Sequence, residues 1–171
     1  MTEAHVEVYF ERRAKPLTSV AKVACASEEY LAAMTGYRLA EIDADSILFD
    51  YEAALNENRW FAREYPFLSQ DYWYFGASGQ GDSWLIGPDA LVYWYDHDLG
   101  EMEVENLRPL GLTFLQFLSM SWVVKSAEAD TERDPNFFDG AEHRAAFEAR
   151  LNAIRPGLSS LYPYRFFEGA S

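Results

Sequence analysis

Apolar and polar positions change rhythm several times along this chain. Residues 4–10 alternate, with Val6, Val8 and Phe10 set against Glu7, Tyr9 and Glu11, which predicts a short strand ended by Pro16. Between residues 19 and 34 the spacing becomes helical, through Val20, Val23, Ala24, Tyr30, Leu31 and Met34, with Gly36 as a stop. Ser27 followed by Glu28 and Glu29 offers a later start for a shorter helix. Residues 47–49 predict a short strand. Asp50 is then placed to cap a helix through Ala54, Leu55 and Phe61, closed by Pro66.

The centre reads differently. Residues 72–75, 83–86 and 90–95 are rich in aromatic and β-branched side chains. The segments between them, at 76–82, 87–89 and 96–100, are built from Gly, Pro, Asp and Ser. Short strands between such turns predict an antiparallel meander, which residues 101–107 could extend with Met102, Val104 and Asn106 on one side.

Helices return at residue 113. Thr113 and Gln116 form a capping box, in which each side chain satisfies a backbone amide of the other's residue. Phe114, Phe117, Leu118 and Trp122 then fall on one face, which predicts a helix over 113–124 packed on the sheet. Residues 126–138 read as a polar loop. Asp139 and Glu142 suggest a second capping box for a helix to about residue 154, striped by Ala146 or Phe147, Leu151 and Ile154. Pro156 and Gly157 end it, and the aromatic tail 158–167 is expected to dock on the core. The pattern is that of one α+β domain: a mostly antiparallel, twisted sheet flanked by helices.

Composition narrows the function classes. A chain of 171 residues, 49% apolar and 16% aromatic, has ample material for one core. Its net charge of −14 would repel phosphate backbones and anionic lipid, so nucleic-acid and membrane-surface partners are not expected. The charge suits a basic protein partner, or it serves solubility alone. Cys25 is the only cysteine, lies among alanines and reads as a small core filler. No disulfide can form within the chain, no signal-peptide pattern is read in residues 1–15, and no apolar run is long enough to span a bilayer; a cytoplasmic setting is expected.

No motif for catalysis emerges. The glycine cluster 76–82 lacks the lysine and following helix of a phosphate loop, and reads as a hairpin turn needing positive φ or a bulge. Asp96, His97 and Asp98 alternate in direction on a regular strand, so they converge only at a sharp turn. A solvated turn is the favoured reading, ahead of a metal site or a polar rim for a partner. No catalytic residue, metal or cofactor is assigned. The aromatics Tyr72, Trp73, Tyr74, Phe75, Trp84, Tyr93, Trp94 and Tyr95 either fill the core or leave part of their number exposed as binding anchors.

The runs Trp73-Tyr74-Phe75-Gly76, Gly79-Gln80-Gly81-Asp82-Ser83-Trp84-Leu85-Ile86, Val92-Tyr93-Trp94-Tyr95-Asp96-His97-Asp98 and Thr113-Phe114-Leu115-Gln116-Phe117-Leu118 together resemble the SUKH superfamily, the Smi and Knr family. The likeness covers about residues 66–120 of a single 1–171 domain, with 126–171 as a helical extension. It implies an α+β fold without a catalytic residue set. It also implies a cytoplasmic immunity protein that binds and neutralises a toxin, such as a nuclease or deaminase. Fungal members of the family are regulatory scaffolds. The contacts expected for a basic partner are Trp73, Asp82, Trp84, Asp96, His97 and Asp98. A regulatory interaction module is the alternative, and a small hydrolase using acidic residues the more distant one.

Overall fold

A single antiparallel meander organises the chain. The structure, a computed structural model, describes residues 6–164. The strands β3 (Glu41–Asp43), β4 (Ser46–Leu48), β5 (Trp73–Ala77), β6 (Ser83–Ile86), β7 (Val92–Tyr95) and β8 (Leu107–Pro109) lie in the sheet in chain order. A small two-stranded ribbon pairs β1 (Glu11–Arg12) with β2 (Tyr37–Arg38). The helices are α1 (Val6–Tyr9), α2 (Glu28–Gly36), α3 (Tyr51–Glu64), α4 (Phe114–Arg133), α5 (Ala141–Ile154) and α6 (Leu158–Leu161). The expected α+β class is the observed one.

Alternation along the strands divides the aromatics between two cores. Trp73, Phe75, Trp84, Ile86, Val92 and Trp94 point to one face, where they meet Tyr30 and Met34 of α2 and Phe114, Phe117 and Leu118 of α4. Helix α5 adds Phe147 and Leu151 to this larger cluster. Tyr74, Leu85 and Tyr95 point the other way, into a smaller cluster with Phe61 of α3, Leu68, Met102 and Leu107. Helix α3 is tied to the sheet by Asn58, which donates to the Tyr74 carbonyl (2.6 Å) and accepts from its amide (2.9 Å).

Two glycines are required by geometry. In β5, a Cβ on Gly76 would stand 2.8 Å from the Ile47 carbonyl oxygen of the neighbouring strand. Gly81 closes the turn before β6 with a φ of +103°. Phe75 forms a bulge in β5, because Tyr74 pairs with Leu85 and Gly76 already pairs with Trp84.

Several local expectations are corrected. Among residues 4–10, positions 4 and 5 lie outside the described residues, and Val6–Tyr9 forms a helical turn instead of a strand. Val6 and Phe10 satisfy both periods; Val8 decides between them, because it faces out while Val6 and Phe10 are buried. The later of the two starts holds for α2: Ser27 is its N-cap, accepting from the Tyr30 amide at 3.3 Å. Asp50 occupies the N-cap position of α3 but makes no capping bond, since its carboxylate pairs with the Arg13 guanidinium. Residues 101–107 are not a strand: Val104–Asn106 is a 3-10 turn, and β8 begins only at Leu107.

The capping box of Thr113 and Gln116 is present as expected. Trp122 departs from its predicted face and is 41% exposed, with Tyr9 edge-on against it. The helix also runs past Val124, through the segment expected to be a loop. Residues 125–133 are mostly strong helix formers, Ala127 is buried, and the stop comes at Asp134, before Pro135. Helix α5 starts from Gly140, not from an Asp139 capping box, because Asp139 is held in the 3-10 turn Phe137–Asp139. The tail docks through Leu158 and Tyr162 up to Tyr164; residues 165–167 of the expected docking segment lie outside the described residues.

Candidate partner-binding groove

The residues expected to greet a partner separate into two groups. Trp73 and Trp84 are buried. Trp84 is 0% exposed, donates its indole N–H to the Asp45 carbonyl at 2.6 Å, and stands edge-on to Phe117. Trp73 donates to the Tyr30 hydroxyl at 3.2 Å. Both are core residues, which corrects their assignment as surface anchors. The signal was in the period: on both strands they share the face that meets α2 and α4.

Asp82, Asp96, His97 and Asp98 do come together, at the loop end of the meander. Asp96 caps the 3-10 turn His97–Leu99, accepting from the Asp98 amide at 2.9 Å. The turn brings His97 Nδ1 to 2.6 Å from Asp82 Oδ1, while Asp82 Oδ2 accepts from the Tyr164 hydroxyl at 2.7 Å. Tyr164 in turn accepts from the Trp94 indole. Burial pushes the Asp82 carboxyl up, but the hydrogen bonds from His97 and Tyr164 outweigh it and hold the group below the usual carboxylate range. The bond to Asp82 raises His97 above an ordinary imidazole. Asp82, Asp96 and His97 offer ligand atoms within 4.8 Å of one another. Both oxygens of Asp82 and Nδ1 of His97 are already engaged, so the cluster reads as a clasp joining two loops and the tail.

An exposed acidic and aromatic surface lies elsewhere, where the smaller core meets solvent. A groove of about 860 Å³ runs between the end of α3, the 65–72 segment and residues 101–105. Its floor is Leu68 and Met102, and its walls carry Trp60, Tyr65, Phe67 and Tyr72. Phe67 is 85% exposed, and Trp60 and Val104 are exposed beside it. Glu64, Asp71, Glu101, Glu103 and Glu105 line the same groove, with no Lys or Arg in its lining. Arg63 stands next to it, paired with Glu64 at 2.8 Å.

Local sequence explains this opening. Pro66 forbids continuation of α3, and the chain turns into the 3-10 segment Leu68–Gln70 with Leu68 buried and Phe67 left outside. Opposite, the turn Val104–Asn106 buries Met102 and Leu107 and leaves three glutamates facing water. Sequence reading passed over Trp60 and Phe67 because they sit outside the aromatic-rich strands. Pro66-Phe67 after a helix whose apolar stripe had ended was the available signal.

No family model matches the chain, and neither does any curated protein or solved structure. Among the described residues no helix is long and apolar enough to cross a membrane.

Proposed function

We propose that this protein is a cytoplasmic immunity protein of the SUKH type, which neutralises a toxin by seating a basic surface of it in the Phe67 groove, without catalysis. One observation carries the reading: five carboxylates and two exposed aromatics share a groove whose lining has no Lys or Arg. Exposed aromatics supply contact area at low entropic cost, and an acidic rim speeds encounter with a cationic surface. Enzymes acting on nucleic acid present basic clefts, for which such a rim substitutes phosphate charge. The residue runs resembling the SUKH superfamily support the same class.

The test is co-expression with the products of the adjacent genes, followed by size-exclusion chromatography and a growth-rescue assay. A complex that Phe67→Ser weakens at least about tenfold is expected, with rescue lost in step. Charge reversal at Glu101, Glu103 and Glu105 should slow association and flatten its salt dependence. A complex indifferent to all these changes, or no complex and no rescue, refutes the assignment. A regulatory module would use the same groove for a non-toxin partner, and gene neighbourhood separates the two.

A further inference from the structure

The Phe67 groove also constrains the form of what enters it. Its volume of about 860 Å³ lies towards the upper end of the range for a compact ligand, so several side chains enter together. Every residue lining it comes from the end of α3, the 65–72 segment or the 101–105 segment, and none belongs to a strand. The amides of Tyr65 and Ser69 are bonded to the carbonyls of Phe61 and Tyr65, and those of Asp71 and Tyr72 to the Leu68 carbonyl. An extended peptide therefore finds no ladder to join and would bury unpaired amides of its own. A helix carries its backbone bonds with it and offers only side chains.

Charge narrows the occupant further. None of Asp71, Glu101, Glu103 and Glu105 has an ion-pair partner among the described residues. The groove also lies at the C-terminal end of α3, where the helix dipole is negative. Other grooves of the molecule differ. One along α3 is lined by Lys22 and Arg59 beside Glu52. Another, between the β3–β4 turn and α4, holds Lys125. Its Asp43 is only 4% exposed, and burial pushes that carboxyl up to about 7, so it draws a cation less than an ordinary carboxylate would. A second copy of this chain suits the Phe67 groove poorly, because pairing through it would set carboxylates against carboxylates. The complement is apolar along its centre, where exposed Phe67 and Val104 share the lining with buried Leu68 and Met102, and cationic at its flanks.

We propose that the groove receives a basic amphipathic helix of the partner. Its apolar stripe lies on Phe67, Leu68 and Met102, and its flanking lysines or arginines face Asp71, Glu101, Glu103 and Glu105. The proposal rests on the reading of this groove as the partner site and names the form of the segment that fills it.

The experiment is an NMR titration of the full chain with a synthetic peptide of about 16 residues, long enough to hold a helix. Its leucines fall at i, i+3, i+4 and i+7 among lysines and alanines. A control peptide of the same composition alternates apolar and lysine positions, which suits a strand. About 0.3 M salt screens diffuse attraction. The helical-period peptide should give saturable shifts in the amides of residues 60–72 and 101–105, and should gain helix on binding by circular dichroism. The control should bind at least about tenfold more weakly. Phe67→Ser should weaken the helical peptide about tenfold, while Trp122→Ser, at an exposed ring on α4, leaves it unchanged. Equal binding of the two peptides, full affinity in Phe67→Ser, or shifts centred outside the groove would each overturn the proposal. So would shifts of the groove amides on dilution of the protein alone, which would assign the groove to a second copy. The toxin assay reads out separately. A toxin complex that Phe67→Ser weakens, without binding of the helical peptide, keeps the groove as the partner site and removes the helix. Binding of the helical peptide without a toxin complex keeps the helix and removes the toxin.

Discussion

The two faces of the meander are built from the same strands and behave differently. One face carries Trp73, Trp84 and Trp94 under α2 and α4, with α5 behind, and is sealed. The other carries Tyr74, Leu85 and Tyr95 under α3 and a few short turns, and it opens at its margin into the Phe67 groove. Strand alternation supplies both faces with aromatics, so composition does not distinguish them. The difference lies in the cover. A long amphipathic helix shuts one side, and on the other a proline-terminated helix leaves the margin exposed. Apolar side chains are therefore structural on the first face and available to a partner at the edge of the second.

The largest effect expected is on the sealed face. Trp84→Ala removes a fully buried ring and orphans the Asp45 carbonyl, and should cost about 3–5 kcal/mol in urea denaturation. Leu85→Ala, one residue along and on the opposite face, should cost about 2–4 kcal/mol. Equal losses at the two positions would show that the smaller core is as tightly packed as the larger.

Asp43→Asn should act in the other direction. The folded-state pKa of about 7 lies above the ordinary carboxylate value, so the native state holds a proton that the unfolded chain releases. The Asp43 contribution to wild-type stability therefore falls as pH rises from about 4 towards 7 and levels off above that. The asparagine variant escapes this loss. It should be more stable than wild type by on the order of 2 kcal/mol at pH 8 and by little at pH 4, measured by denaturation at both pH values.

A smaller loss, about 1 kcal/mol, is expected for Thr113→Ala, which breaks the capping box of the helix covering the sealed face. The smallest effect belongs to the open margin. Phe67→Ser should change stability by no more than about 0.5 kcal/mol, since its ring is in water already. A loss as large as that at Leu85 would mean that the Phe67 ring is part of the core and not a contact for a partner.

Much of the fold was legible because the relevant signals were local. Aromatic and β-branched runs at 72–75, 83–86 and 90–95 with Gly, Pro and Asp turns between them specified the meander, and Thr113 with Gln116 specified the start of α4. Where two periods share the same residues, local reading failed: Val6 and Phe10 fit a strand and a helical turn equally. The loop expected at 126–138 failed for a related reason. Polar residues there are good helix formers, and only the burial of Ala127 against the rest of the molecule shows that the helix continues.

The candidate site was legible only in its chemistry. Charge and aromatic density pointed to an acidic, aromatic surface, and the Asp96-His97-Asp98 turn was placed at the loop end of the meander where it is found. The anchors were assigned to Trp73 and Trp84, which the structure buries, while Trp60 and Phe67 are the exposed ones.

The sequence by itself determined the acidity, the antiparallel order of the strands and the capped helix, because each follows from residues close together in the chain. Only the tertiary structure decided which face is sealed, which aromatics reach water, and which carboxylate is buried. Those depend on what covers a residue from far along the chain: α4 over Trp84, the 65–72 and 101–105 segments around Phe67, and Glu128 beside Asp43.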